Sequence, residues 1–171
     1  MTTGGGMEQS VIRGGEERLG LDPALADDAR LAFVGRIVSP WRRGDCPKNL
    51  REARARGGRF GIRVDAPYRA ALRGLEPGDG VIVLYWMAGA PRDLAVQAPA
   101  HRDAPVGTFA LRSPARPNPV ALAVVRLLAI DVEAGWLELD AIDAFDGTPV
   151  LDIKPWLPSV DILPEPQGGP T

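Results

Sequence analysis

Cysteine and histidine are nearly missing from this chain of 171 residues, which carries one of each, Cys46 and His101. A lone cysteine forms no internal disulfide, and a single histidine beside it falls short of a zinc ligand set. Disulfide scaffolds, zinc enzymology and His-based acid–base dyads are therefore excluded. No apolar run reaches the roughly 18 residues of a membrane span. The start, Met1-Thr-Thr-Gly-Gly-Gly, lacks the basic flank and apolar stretch of a secretion signal, so the expected location is cytoplasmic. No glycine-rich fingerprint opens a helix after a strand, which argues against a Rossmann-type site. The chain has no internal repeat.

What it does have is proline set among polar residues. The stretch Gly107-Thr-Phe-Ala-Leu-Arg-Ser-Pro-Ala-Arg-Pro-Asn-Pro119 places two arginines, an asparagine and three prolines between apolar runs. Each proline fixes its own φ near about −65° and pushes the preceding residue toward extended backbone. Ser113, Arg116 and Asn118 are left with few conformations, and rigid loops commonly carry binding chemistry. A second such element is Phe145-Asp-Gly-Thr-Pro-Val-Leu-Asp-Ile-Lys-Pro-Trp156, and a third is Cys46-Pro-Lys-Asn49. The expectation is that the three form one composite site.

Net charge is −2, but it is unevenly spread. Residues 36–63 hold nine arginines and lysines against Asp45 and Glu52, whereas every ionisable residue from Asp131 to Asp152 is acidic. Local patches rather than net charge attract nucleic acid, so the basic half is a candidate face for phosphates, with a solvated arginine-rich loop as the alternative.

Residues 1–28 are rich in Gly, Glu and Asp, and 164–171 in proline and glycine, so both are expected to be flexible around one folded domain at 29–163. Between them, short apolar runs rich in β-branched residues predict strands at 31–38, 60–64, 81–87, 94–97, 106–111, 120–132, 136–142 and 150–153. Glu133-Ala134-Gly135 joins two of these as a hairpin turn. Helical signals are confined to 48–56 and 67–74, where Pro67 suits an early helical position and Gly74 a C-terminal cap. Neither is long enough for a βαβ crossover, so the fold class is mainly all-β, an antiparallel barrel or compact sandwich.

Individual side chains carry two readings each. Arg112 and Arg116 offer guanidinium forks suited to carboxylate or phosphate, or to salt bridges with the acidic half. Asn118 can donate and accept at once, yet asparagine between prolines is also ordinary turn chemistry. Asp146-Gly147-Thr148-Pro149 is a good turn after a strand. Trp86 and Met87 close an apolar run and suit either an adenine and a thioether or the core. Cys46 beside Lys48 is a conceivable nucleophile, and His101 a conceivable base, though packing and solvation explain both as well.

Taken together, Gly35-Arg-Ile-Val-Ser-Pro-Trp41, the RPNP-containing loop through Val120, and Asp146-Gly-Thr-Pro-Val-Leu-Asp-Ile-Lys-Pro-Trp-Leu-Pro158 resemble the TsaA-like family, which includes the TrmO-type tRNA methyltransferases. The resemblance runs from about Leu31 to Asp161. It implies a compact antiparallel β-barrel of about seven to eight strands with one or two short helices. It also implies binding of S-adenosyl-L-methionine, action as a homodimer, and N6-methylation of threonylcarbamoyladenosine beside the anticodon of tRNA. The cofactor-contacting positions it implies are Pro47, Lys48, Asn49, Trp86, Met87, Arg112, Leu122, Asp146, Gly147, Thr148 and Pro149. On the substrate side, Arg116, Asn118, Asp152 and Lys154 are expected to orient the modified adenosine or neutralise its carboxylate. No metal is expected.

Three departures stand out. Pro47-Lys48-Asn49 replaces the family's usual Pro-Arg-Gln, which loses a guanidinium fork. Ala121 and Ala123 replace a usual glycine and serine. Longer relatives also carry a further C-terminal domain, so weak tRNA binding, a partner, or a different acceptor are expected alternatives. A cofactor-binding adaptor with the same barrel and no methyl transfer is another.

Overall fold

The computed structural model describes residues 12–164. Alternation of apolar and polar side chains sets the main sheet. Phe60, Ile62 and Val64 point inward from β3 (Phe60–Val64), as do Val81, Val83 and Tyr85 from β4 (Gly80–Trp86). Ala123, Val125 and Leu127 do the same from β7 (Val120–Asp131), and Leu137 and Leu139 from β8 (Trp136–Leu139). With Ile37 of β2 (Gly35–Val38) and Val150 of β9 (Pro149–Pro155), these side chains fill the core. Each large apolar side chain so buried contributes about 1.5–3 kcal/mol. The strands close in the order β2-β3-β8-β7-β4-β9, and the described pairings are antiparallel.

Two contact-defined units emerge. One comprises Leu31–Trp86 with residues 121–164, and holds the closed sheet. The other comprises residues 12–30 with Met87–Val120. In that second unit a three-stranded sheet runs in the order β1-β5-β6, where β1 is Glu17–Arg18, β5 is Leu94–Gln97 and β6 is Val106–Gly107. The mainly antiparallel strand class is as expected, but six strands close and three form a separate sheet, instead of seven or eight in one. The N-terminal segment read as flexible contributes β1, while residues 1–11 and 165–171 lie outside the described residues.

Local chemistry explains most boundaries. The helix expected at 48–56 is α1 (Leu50–Arg56), because Asn49 Oδ1 accepts from Glu52 N at 2.9 Å and so caps it. Glu52 Oε2 in return accepts from Lys48 N at 3.1 Å, a capping-box arrangement displaced by one residue. The expected helix at 67–74 is a 3₁₀ segment, Ala66–Leu72. The strand expected over 106–111 stops at Gly107: Thr108 Oγ1 donates to Leu94 O at 2.6 Å, and Thr108–Ala110 turns as 3₁₀. The strand expected from residue 31 begins at Gly35, since Leu31 and Phe33 are exposed. β8 ends three residues early, where Asp140 Oδ1 accepts from Arg126 N at 2.7 Å. A short α2 (Pro158–Asp161) lies where no helix was expected.

The predicted hairpin joins β7 to β8. Gly135 sits at φ 69°, and a Cβ there would meet Val64 O at 2.5 Å, so both conformation and space call for glycine.

Candidate functional site

In the barrel unit, the chain after β8 carries Ala141, Ile142 and Ala144 into the core and leaves Asp143 half-buried between them. Asp143 ties two distant segments together. Its carbonyl oxygen accepts from Cys46 Sγ at 3.2 Å, and its Oδ1 accepts from Tyr85 Oη at 3.1 Å. The residues next to these donors are Pro47 and Trp86, two expected cofactor contacts.

Ser39 makes the second tie. Its hydroxyl donates to Ala144 O at 2.7 Å, and its N–H donates to Asp146 Oδ1 at 3.2 Å. Asp146 N donates to Trp41 O at 3.0 Å, Gly147 N to Ile37 O at 2.9 Å, and Ile37 N to Thr148 O at 2.9 Å. Thr148 Oγ1 donates to Phe145 O at 2.8 Å, which closes the turn on itself. Trp41 is buried below, its Nε1 donating to Ile142 O at 2.7 Å. Residues 46–49 and 146–149 are thus fixed to one framework with Trp86. Leu122 starts the exposed face of β7, the strand beside β4.

Several expected site residues also hold structure. Pro47 is buried, and the Asn49 side-chain Oδ1 is taken by the α1 cap. Asp146 uses Oδ1 for Ser39, while among the described residues no donor reaches its Oδ2. Asp152 and Lys154, two apart on the outer face of β9, pair with each other at 2.6 Å. The Cys46 thiol is pushed up to about 11, first by burial and then by the Asp143 carboxylate. It is a protonated donor, which removes the nucleophile reading. Ala123 is buried in the core, so the serine hydroxyl usual there would face into the barrel.

Met87 and residues 107–119 belong to the other unit, where buried Gln97 anchors the loop. Gln97 Nε2 donates to Thr108 Oγ1 at 2.9 Å and to Ala115 O at 2.6 Å. Arg92 Nε donates to Pro117 O at 2.6 Å and its Nη2 to Asn118 Oδ1 at 3.3 Å. Met87 N donates to Pro119 O at 2.9 Å. Arg116 Nη1 donates to Leu111 O at 3.2 Å and Ser113 O at 3.4 Å, and among the described residues no acceptor takes its Nε or Nη2. Arg112 is exposed. His101 is exposed as well, as expected of a solvated loop residue.

Sequence reading missed Asp143, Gln97 and Arg92 as positioning residues. Two of them carried a signal: Asp143 is an acid inside Ala-Ile-Asp-Ala, and Gln97 a polar end to an apolar strand.

The fold is a small antiparallel barrel whose turns carry carboxylate and amide groups held by hydrogen bonds. The profile of the tRNA-methyltransferase O N-terminal domain matches residues 36–162, and the chain belongs to that family. It is 36% identical over 129 residues to the probable S-adenosyl-L-methionine-binding protein VirR of Rhizobium radiobacter, covering 75% of this chain and 71% of that one. It is also 36% identical over 112 residues to the tRNA (adenine(37)-N6)-methyltransferase of Escherichia coli (strain K12), covering 61% and 48%. The crystal structure of TrmO from Pseudomonas aeruginosa superposes with a TM-score of 0.63 at 32% identity, covering 82% of this chain and 61% of that one. The chain thus spans about half of the E. coli enzyme and three fifths of the solved one. Among the described residues no helix is long and apolar enough to cross a membrane, and no group of acidic, histidine or cysteine side chains is placed to hold a metal.

Proposed function

We propose that this chain is an S-adenosyl-L-methionine-dependent methyltransferase acting on N6 of adenosine 37 in tRNA, with threonylcarbamoyladenosine as the acceptor. The observation that supports it most is the joining of residues 46–49, Trp86 and residues 146–149 through Asp143 and Ser39, in a chain of the tRNA-methyltransferase O family.

The donor set fits the cofactor. S-Adenosylmethionine presents an adenine, ribose hydroxyls, an ammonium and a carboxylate. Asp146 Oδ2 is an open acceptor for hydroxyl or ammonium, Trp86 a flat apolar surface, and Arg112 a fork for carboxylate. When bound, the cofactor supplies a methyl group on a positively charged sulfur. The chain's own part is positioning: little acid–base chemistry is required, and holding the reacting atoms in line accounts for most of the acceleration. The turn at 146–149 is suited to that task because each of its residues is hydrogen-bonded to the 37–41 segment or to the turn itself, or locked as proline. Arg116, with two nitrogens open, reads the carboxylate of the threonylcarbamoyl group, and Asn118 keeps its amide N–H groups for the base. Asp152 and Lys154, being paired, act on the substrate as a dipole rather than as separate charges. The partners in this reading are the tRNA anticodon loop and a second copy of the chain.

The test is incubation with labelled S-adenosylmethionine and total tRNA from a strain lacking the gene, followed by nucleoside mass spectrometry. Label on threonylcarbamoyladenosine is expected. Full cofactor occupancy with no labelled nucleoside would replace the enzyme by a cofactor-binding adaptor, and label elsewhere would change the acceptor.

A further inference from the structure

The arginine-rich stretch does not act as one patch once folded. Arg54 pairs with Asp140 at 2.7 Å, and Arg56 pairs with Asp45 at 2.6 Å while lying 4.4 Å over the Trp41 ring. Arg59 and Arg63 behave differently. With Arg69, Val38, Ala134 and Trp136 they line a half-open depression of about 440 Å³ on the outer wall of β3 and β8. Among the described residues no carboxylate forms a salt bridge with Arg36, Arg59, Arg63 or Arg69.

The depression is held in shape. Arg59 lies 5.0 Å over the Trp136 ring, a contact that restrains its guanidinium without using its N–H donors in hydrogen bonds to an anion. Trp136 lies against Gly61, where a Cβ would collide with the indole. Arg69 Nη1 donates to Glu133 O at 2.8 Å. Glu133 meets Arg69 through its carbonyl oxygen, and Asp131 Oδ1 accepts from Ala134 N at 2.9 Å.

Register connects this wall to the turn at 146–149. Pro149 opposes Arg36, Arg36 opposes Arg63, and Arg63 opposes Trp136, which makes one lateral row across four strands. Arg36 Nη1 also donates to Gly147 O at 3.1 Å. With neighbouring strands about 4.8 Å apart, Arg63 stands roughly 10 Å from the turn, the reach of one or two nucleotides.

We propose that Arg36, Arg63, Arg59 and Arg69, arranged around Trp136, form a track for the sugar–phosphate backbone of an RNA strand leading to the turn at 146–149. Guanidinium forks suit phosphate geometry, and a guanidinium stacked on indole presents a flat face to a base. The track goes beyond the proposed methyl transfer and uses that reading only to say which RNA it serves.

The experiment is fluorescence anisotropy with labelled tRNA and a single-stranded RNA oligomer across a salt series, on the full chain. Arg59→Gln/Arg63→Gln is expected to weaken both at least tenfold. The log–log salt slope should drop by about 1.4–1.8, the value for two lost phosphate contacts. Arg51→Gln/Arg54→Gln removes the same charge and is expected to change binding less than threefold. Equal losses from both pairs, or no loss from the first, would overturn the track. So would polyglutamate competing as well as RNA does. S-Adenosylmethionine affinity and melting temperature serve as controls, and Arg63→Lys, which keeps the charge, should restore part of the binding to Arg63→Gln. If wild-type protein methylates tRNA while the first pair binds RNA normally, the track alone fails. If the pair loses RNA but no tRNA is ever methylated, the track stands and the enzyme reading falls.

Discussion

Arg112 and Arg116 sit four residues apart in one loop, and the proposed function gives them different work. Arg116 spends one nitrogen on loop carbonyls and keeps the rest of its fork open. Arg112→Ala is expected to weaken S-adenosylmethionine binding tenfold or more by calorimetry, whereas Arg116→Ala should lower methyl transfer and leave that affinity within about threefold. Unchanged cofactor binding in the first variant would remove Arg112 from the cofactor site. Cys46 offers a pH signature. Its folded-state pKa of about 11 lies above the ordinary 9.0, so the proton it retains adds stability that is complete below about pH 9. That contribution disappears as pH rises toward 11. Melting temperature should therefore fall over this window, and less so in Cys46→Ser, which keeps a donor for Asp143 O but does not ionise there. Alkylation of Cys46 at pH 8 should be slower than that of a free cysteine.

At the scale of elements, loops and turns are held by single polar residues. Gln97 is 7% exposed and grips the 107–119 loop at two points. Gln97→Ala leaves the buried Thr108 acceptor and the half-buried Ala115 carbonyl without their donor, at a cost of about 1–3 kcal/mol. Faster amide exchange in residues 108–116 and a lower S-adenosylmethionine affinity are expected; unchanged exchange would mean that the prolines hold the loop unaided. The hairpin glycine is a second case. Gly135→Ala puts a side chain at φ 69° and a Cβ 2.5 Å from Val64 O, so a loss above about 1 kcal/mol is expected, read as a lower urea midpoint at constant m-value. The hairpin was legible in sequence because glycine, turn and alternation lie within a few residues of each other. The strand over 106–111 was misjudged because Thr108 looks like any strand threonine until Leu94 and Gln97 claim its hydroxyl.

For the whole molecule, the barrel joins residues 46–49, Trp86 and residues 146–149 through Asp143 and Ser39. Addition of S-adenosylmethionine should then slow amide exchange in residues 46–49 and 146–149 together. Protection of one segment alone would break the composite site. The sequence by itself determined the strand class, since inward-facing alternation is written into each strand, and it determined the family, since the proline-braced loops carry its pattern. It also marked Pro47, Trp86 and Asp146, but not what holds them. Asp143 meets Cys46 across 97 positions and Tyr85 across 58, and Arg54 finds Asp140 across 86. Only the closed sheet decided which arginines are neutralised and which line the outer wall. Register across β9, β2, β3 and β8 sets those neighbours, and register depends on how distant strands bury one shared core.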